Sequence, residues 1–383
     1  MKRAVVGGHI CLDIIPDIDH PIELIPGRLF EVGAPTIATG GAVSNTGGAL
    51  HILGIPTTLM GKVGDDSFGR SVLDVLAARD SALAAGMVVV PGVTTSYTVV
   101  VSIPGTDRMF LHCPGANESF VAADLDSDGL EGAALFHFGY PAFMAATYAN
   151  DGDELVAMYK KVKSFGLTTS LDMGMPDPSG AAGKVDWRRV LERALPLIDI
   201  FMPSADELLY ALEPRRFGEG DGLSPTELAP LAQTLLDLGS AVVSIKMGSR
   251  GMYLRTGTEA RIAAMGAAAP ANASAWANRE LWFPVYQEDQ FAGATGAGDT
   301  TIAGFLAALL QGEGVEDCGR MANAVGSCNV EAPDALGGLR SWKDTKARLA
   351  AGWQHPPFEL DDEGWTCDPT GLWHGPADGA AHG

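Results

Sequence analysis

The segment Ala294-Thr295-Gly296-Ala297-Gly298-Asp299-Thr300-Thr301 runs directly into Ile302, Phe305, Leu306, Leu309 and Leu310. Those five apolar residues recur at i, i+3, i+4, i+7 and i+8, one face of an α-helix, and Gly312 follows as a stop. A loop of small residues therefore opens straight into a helix. Glycines leave backbone N–H groups uncovered, the first helical N–H groups lack partners inside the helix, and the peptide dipoles add positive potential there. Such a junction binds an anion without lysine or arginine. Asp299 stands in it. Spacing alone leaves two roles open to its carboxylate. It can cap the helix, as aspartate often does. It can also take a proton from a hydroxyl while the N–H groups hold the charge that develops. The dinucleotide pattern Gly-x-Gly-x-x-Gly is not met, because its last glycine would fall on Thr301. No Walker A motif exists, since Gly61-Lys62 and Gly183-Lys184 are each followed by valine.

Outward from this motif, β-rich apolar runs alternate with helical patterns. Strands are expected at Ala4–Ile10, Thr57–Val63, Leu135–Phe138, Thr168–Asp172, Ile198–Met202 and Ala241–Met247. Helices are expected at Val43–Leu53, Ser67–Ala78, Asp153–Phe165, Trp187–Ala194 and Glu227–Leu238. This alternation implies an α/β fold with a mostly parallel sheet covered on both faces. Val88–Val90, Ser96–Ile103 and Arg108–Cys113 break the rhythm, with Pro104-Gly105-Thr106-Asp107 as a turn. They read as a small antiparallel sheet outside the core, which residues 14–39 could join, poised as a lid. Ala263–Ala277 is alanine-rich and reads as a surface loop. From Ala351 onward there is no lysine or arginine, while Trp353, Phe358, Trp365 and Trp373 interleave with prolines. So many aromatics predict a tail that packs over the domain or a neighbouring subunit.

The chain has 383 residues with 47 acidic and 26 basic side chains, a formal charge of −21. That balance argues against nucleic acid, whose binding needs a basic face. It leaves room for a small phosphate ligand held by a local field. Forty-eight glycines exceed the usual share, with no collagen period to explain them. The five cysteines, Cys11, Cys113, Cys318, Cys328 and Cys367, form no Cys-x-x-Cys pair, so free thiols in a reducing cytoplasm are expected. The histidines show no zinc spacing. No apolar run is long enough to span a bilayer, and membrane association is not expected.

At these residues the chain resembles the ribokinase / phosphofructokinase-B (PfkB) family of carbohydrate kinases. Thr295-Gly296-Ala297-Gly298-Asp299 resembles the family's C-terminal signature. Gly40-Gly41-Ala42-Val43-Ser44-Asn45-Thr46-Gly47-Gly48, continuing through Gly61-Lys62-Val63-Gly64-Asp65-Asp66-Ser67-Phe68-Gly69, resembles the N-terminal one. Smaller matches at Gly8 to Asp13, Pro114 to Asn117, Lys246 to Gly251 and Asn323 to Gly338 follow in family order. The resemblance implies a ribokinase-like three-layer α/β/α kinase domain over residues 1–350 with a lid from about 11–39 and 88–113, and the acidic residues 351–383 read as an extension beyond it. It implies ATP- and Mg²⁺-dependent phosphorylation of a sugar's primary hydroxyl. Asp299 would be the base, and Gly296, Ala297 and Gly298 the anion hole. Asp13, Gly40, Gly41 and Asn45 would hold the acceptor, Lys246, Gly248, Gly251 and Asn323 the nucleotide, and Glu207 the metal.

The departures from the family are informative. Ser204-Ala205-Asp206-Glu207 stands where members usually read Asn-x-x-Glu, and Ser-x-x-Glu is also a capping box. Gly293 replaces an aspartate often found near a monovalent-cation site, so the basis for potassium activation is weakened. No Asn-x-Arg pattern follows Asp172, which favours a neutral acceptor over an acidic sugar. A nucleoside kinase of the same fold and a non-catalytic sugar or nucleotide sensor are the alternatives. The family also suggests a homodimer through the lid.

Overall fold

The computed structural model describes residues 2–106 and 108–379. Its strands in chain order are β1 (Ala4–Gly8), β2 (Cys11–Asp17), β3 (Gly33–Gly40), β4 (Thr57–Gly64), β5 (Met87–Val90), β6 (Tyr97–Val101), β7 (Met109–Cys113) and β8 (Leu135–Gly139). They continue as β9 (Thr168–Asp172), β10 (Ile200–Phe201), β11 (Val242–Lys246), β12 (Met252–Thr256), β13 (Glu280–Phe283), β14 (Thr366–Cys367) and β15 (Trp373–His374). The main helices are α1 (Gly41–Ile52), α2 (Ser67–Arg79), α3 (Asp153–Ser164), α4 (Trp187–Ala194), α5 (Ala205–Leu212), α6 (Pro225–Asp237), α7 (Ala297–Gln311), α8 (Val315–Asn329) and α9 (Trp342–Ala350).

Eleven strands form one sheet in the order β14-β15-β13-β12-β11-β10-β9-β8-β1-β4-β5. From β11 to β5 the pairings are parallel, and the rest of the sheet is antiparallel. Parallel strands need crossover helices, which cover both faces. In β1 the side chains alternate accordingly. Ala4 and Val6 enter the core under α1, α2, α7 and α8, whereas Val5 enters the core under α3 to α6. The helices begin and end close to where periodicity placed them. Asp66 caps α2, accepting from Gly69 N–H at 2.8 Å, and Gly312 ends α7 in the left-handed conformation.

A second sheet, β3-β2-β6-β7, stands apart from the main one. Two expectations change here. Met87–Val90 does not belong to this sheet, because β5 pairs in parallel with β4 at the edge of the core. The small sheet is also mixed. β2 and β6 pair in parallel, since both leave the main sheet from the same end. Residues 14–39 do join it, through β2 and β3. In the turn expected at 104–107, Thr106 N–H bonds to Ile103 O (3.1 Å), while Asp107 lies outside the described residues.

Ala263–Ala277 is less superficial than its composition suggests. Met265, Ala268 and Trp276 are buried, and the Trp276 ring meets Phe305 of α7 edge-on. The C-terminal extension packs on its own domain. β15 adds to β13, Phe358 stacks on Trp282, and Trp353 and His355 stack on Tyr286 with centroids 4.9 and 4.4 Å away. Asp378 is fully buried against Arg279 (2.5 Å). None of the described helices is long and apolar enough to cross a membrane.

Candidate active site

The carboxyl ends of β8, β9 and β11 and the N-termini of α1, α5 and α7 converge at one place, the usual ligand position in an open α/β sheet. Gly296 takes φ +74° as the residue before α7, and a Cβ there would lie 2.6 Å from that of Ala335. Glycine is therefore required for this loop to reach the helix. Asp299 occupies the third helical position, so it is not the N-cap. Thr300 N–H is the first to bond back along the helix, to Gly296 O (2.9 Å). Of the expected anion-hole donors, Ala297 N–H is turned instead to Ala294 O (3.2 Å), which leaves the helix start at Gly298 and Asp299 to face an anion.

The Asp299 carboxylate is 2% exposed and points at α1 and β8. Asn45 Nδ2 (3.0 Å) and the Tyr140 hydroxyl (2.7 Å) both donate to Oδ2. The Thr46 hydroxyl donates to Oδ1 at 3.3 Å. Burial, then the charge of Asp172, raises the Asp299 pKa to about 6, against the donors Asn45 and Tyr140 and the Lys246 ammonium. Asn45 was expected to hold the acceptor. Its amide nitrogen is committed to Asp299, while its Oδ1 is buried without a hydrogen-bond partner. A buried, unsatisfied amide oxygen is costly unless a ligand hydroxyl reaches it.

Behind Asp299 lies a charged cluster. Lys246 Nζ at the end of β11 bonds to Asp172 Oδ1 at the end of β9 (2.7 Å). A Cβ on Gly298 would be 3.4 Å from the same ammonium, which places Lys246 beside the α7 start rather than in solvent. Burial works against that charge, but Asp172, Glu207 and Asp299 together raise its pKa above the ordinary value. Glu207 sits in the first turn of α5. Its Oε2 accepts Ser204 N–H (2.7 Å) while Ser204 Oγ accepts Glu207 N–H (3.3 Å), the capping box the sequence suggests. Burial and Asp172 push its pKa to about 7. The box engages only Oε2. No group of three or more His, Cys, Asp or Glu among the described residues could hold a metal alone. One or two carboxylates suit Mg²⁺, which takes its remaining ligands from phosphates and water. The pair Glu207 and Asp172 fits that requirement.

On the side of the small sheet, Asp13 of β2 faces Gly40 of β3 so closely that any Cβ at residue 40 would strike its carboxylate. Burial raises the Asp13 pKa to about 6. Gly41 has φ +83°, and a Cβ there would meet the His9 ring. The rings of His9, His112, Tyr140 and Phe143 cluster at the base of this sheet, with centroids 5.0–6.1 Å apart. Arg108 also donates to the Thr295 hydroxyl, tying the β6–β7 connection to the α7 loop.

The nucleotide-side residues assemble less directly. Gly248 and Gly251 take φ +56° and +97°. A Cβ on Gly251 would sit 3.0 Å from Asn323 Nδ2, so these two residues are neighbours. The Asn323 amide, however, braces the chain after β13, donating to Phe283 O (2.5 Å) and Pro284 O (3.1 Å). Sequence reading passed over Tyr140, Thr46 and His9 as site residues. Tyr140 follows an apolar strand run directly, the position at which ligand-facing residues of parallel sheets lie, and that was the available signal.

A family profile described as pfkB family carbohydrate kinase matches residues 1–341. An uncharacterized sugar kinase from Archaeoglobus fulgidus is 27% identical over 291 residues, 76% of this chain and 97% of that protein. A fructokinase from Xylella fastidiosa, solved with bound ATP, superposes with a TM-score of 0.70 at 17% identity, over 92% of this chain and 99% of that one. An E. coli protein solved in complex with ATP and Mg²⁺ gives 0.69 at 20% identity, over 92% and 100% of the two chains.

Proposed function

The chain belongs to the pfkB family of carbohydrate kinases, and from that premise we propose that it transfers the γ-phosphate of ATP to a primary hydroxyl of a neutral sugar, with Asp299 as the base. The observation that carries this reading is a buried carboxylate, raised to about 6, set inside the first turn of a glycine-led helix. A group with that pKa is ionised at neutral pH yet close enough to it to accept a proton. The acceptor oxygen forms its bond to the γ-phosphorus as the bond from phosphorus to the β,γ-bridging oxygen breaks. The hydroxyl proton passes to Asp299, and ADP leaves with the charge. The α7 N-terminus stabilises the transferring group, and Lys246 adds a cation beside it. Glu207 with Asp172 would hold magnesium, which would neutralise charge on the phosphates. The ATP- and Mg²⁺-bound neighbours support these ligands.

Asp13, the side-chain-free backbone at Gly40 and Gly41, and the unpartnered Asn45 Oδ1 suit the hydroxyls of a polyol. Asp13 and Asp299 together disfavour an anionic acceptor. The small sheet would close over the sugar and exclude water. The test is an ADP-release screen of pentoses, hexoses, polyols, nucleosides and sugar acids, run beside Asp299→Asn. Turnover with a neutral sugar is expected. Asp299→Asn should bind nucleotide as before and lose roughly 10²–10⁴-fold in rate. Tight sugar binding without any ADP release would instead establish a sensor.

A further inference from the structure

Tyr140 directly follows β8 and precedes Pro141, with φ +66° and ψ +48°. A residue with a bulky side chain is rarely held in this left-handed region, and such outliers gather at functional sites. The conformation turns the ring inward. Its centroid lies 5.4 Å from that of Phe143 and 6.1 Å from that of His9, and a Cβ on Gly174 would sit 3.2 Å from the ring atoms Cγ and Cδ1. Packing thus aims the hydroxyl at Asp299 Oδ2, 2.7 Å away. Burial, then the Asp299 charge, pushes the Tyr140 pKa well above its ordinary value, so the phenol keeps its proton and donates.

Asn45 Nδ2 donates to the same oxygen. A carboxylate oxygen has two in-plane acceptor positions, and both of those on Oδ2 are filled. Oδ1 receives only the longer bond from Thr46. We propose that Tyr140 is a positioning residue for the transfer: with Asn45 it fixes Oδ2 of the base, so that Oδ1 is the atom that takes the acceptor's proton. This rests on the reading of Asp299 as the base.

Tyr140→Phe keeps the ring contacts and removes only the donor. In the full chain, kcat for the sugar found by the screen should fall about tenfold, the cost of one hydrogen bond to a charged group. The KM for ATP should stay unchanged. The acid limb of kcat/KM should move to higher pH, because a donor that favoured the ionised carboxylate is gone while burial and Asp172 remain. The charged groups facing Asp299 are Asp172 from β9 and Lys246 from β11, and α1 offers it only the neutral Asn45 and Thr46. Fluorotyrosine at position 140 keeps the fold and donates more strongly, so it should move the limb to lower pH. A role in packing alone moves neither limb. Wild-type kcat and unmoved limbs in both variants, with Asp299→Asn inactive, would overturn the role of Tyr140 alone. An active Asp299→Asn would overturn the base reading and this inference with it.

Discussion

Asp299 shows how far one residue can be read from its neighbours in sequence. The small-residue loop and the helix behind it read as an anion site, and an aspartate there has two readings. Structure removes the capping reading, since Gly296 is the N-cap and Asp299 lies inside the first turn. Its pKa of about 6 comes from burial and from Asp172, which is 127 positions earlier in the chain and invisible to any local pattern. The sign of the pH dependence follows. A raised carboxyl is protonated below its pKa, and a protonated base cannot accept the acceptor's proton. Initial-rate measurements from pH 4.5 to 8 should show kcat/KM flat above about 6 and falling toward tenfold per unit below it. A rate that stays level through pH 5 would remove Asp299 from the role. Lys246 teaches the complementary lesson. A lysine at a strand end is ordinarily solvated, and only the packing of β9, β11 and α7 makes it a largely enclosed partner of Asp172.

Among the elements, helices were legible because a 3.6-residue apolar period and a stop signal suffice to define them. α4 falls at Trp187–Ala194 as expected, and α2 ends within a residue of its expected end. Strands were found but not their partners. The β5 run looks like those of the small sheet in composition, yet pairs with β4, because register and neighbour depend on chain segments far away. The small sheet itself has an exposed apolar surface. Met109, Phe110 and Leu111 of the edge strand β7 are 43–63% exposed, and Ile37 of β3 is 47% exposed. Exposed apolar side chains beside an open strand edge favour pairing with a second copy. Light scattering should give a homodimer at micromolar concentration, and Leu111→Asp should shift it toward monomer. A wild-type monomer at tens of micromolar would refute this interface.

For the whole molecule, the acidic extension completes the large sheet rather than trailing from it. Its anchor is the buried pair Asp378–Arg279, shared with Glu316 and His374. Removing one member of a buried pair strands the other, so Asp378→Ala should cost about 3 kcal/mol. Urea denaturation should show a lower midpoint with little change of slope. An unchanged midpoint would mean that the extension's stacked aromatics, not this pair, hold it. The extension's aromatics predicted packing, but its partners on β13 and α8 could not be named from composition. By itself the sequence determined the fold class, the family resemblance, and the glycine-led helix with Asp299 at its start. These are carried by contiguous motifs and short periods, which are local properties of a chain. The tertiary structure alone decided that Tyr140, Asn45, Thr46, Asp172 and Lys246 surround that carboxylate, and that Asn323 braces a loop. Burial and the field of distant charges are sums over the folded molecule, and no stretch of sequence contains them.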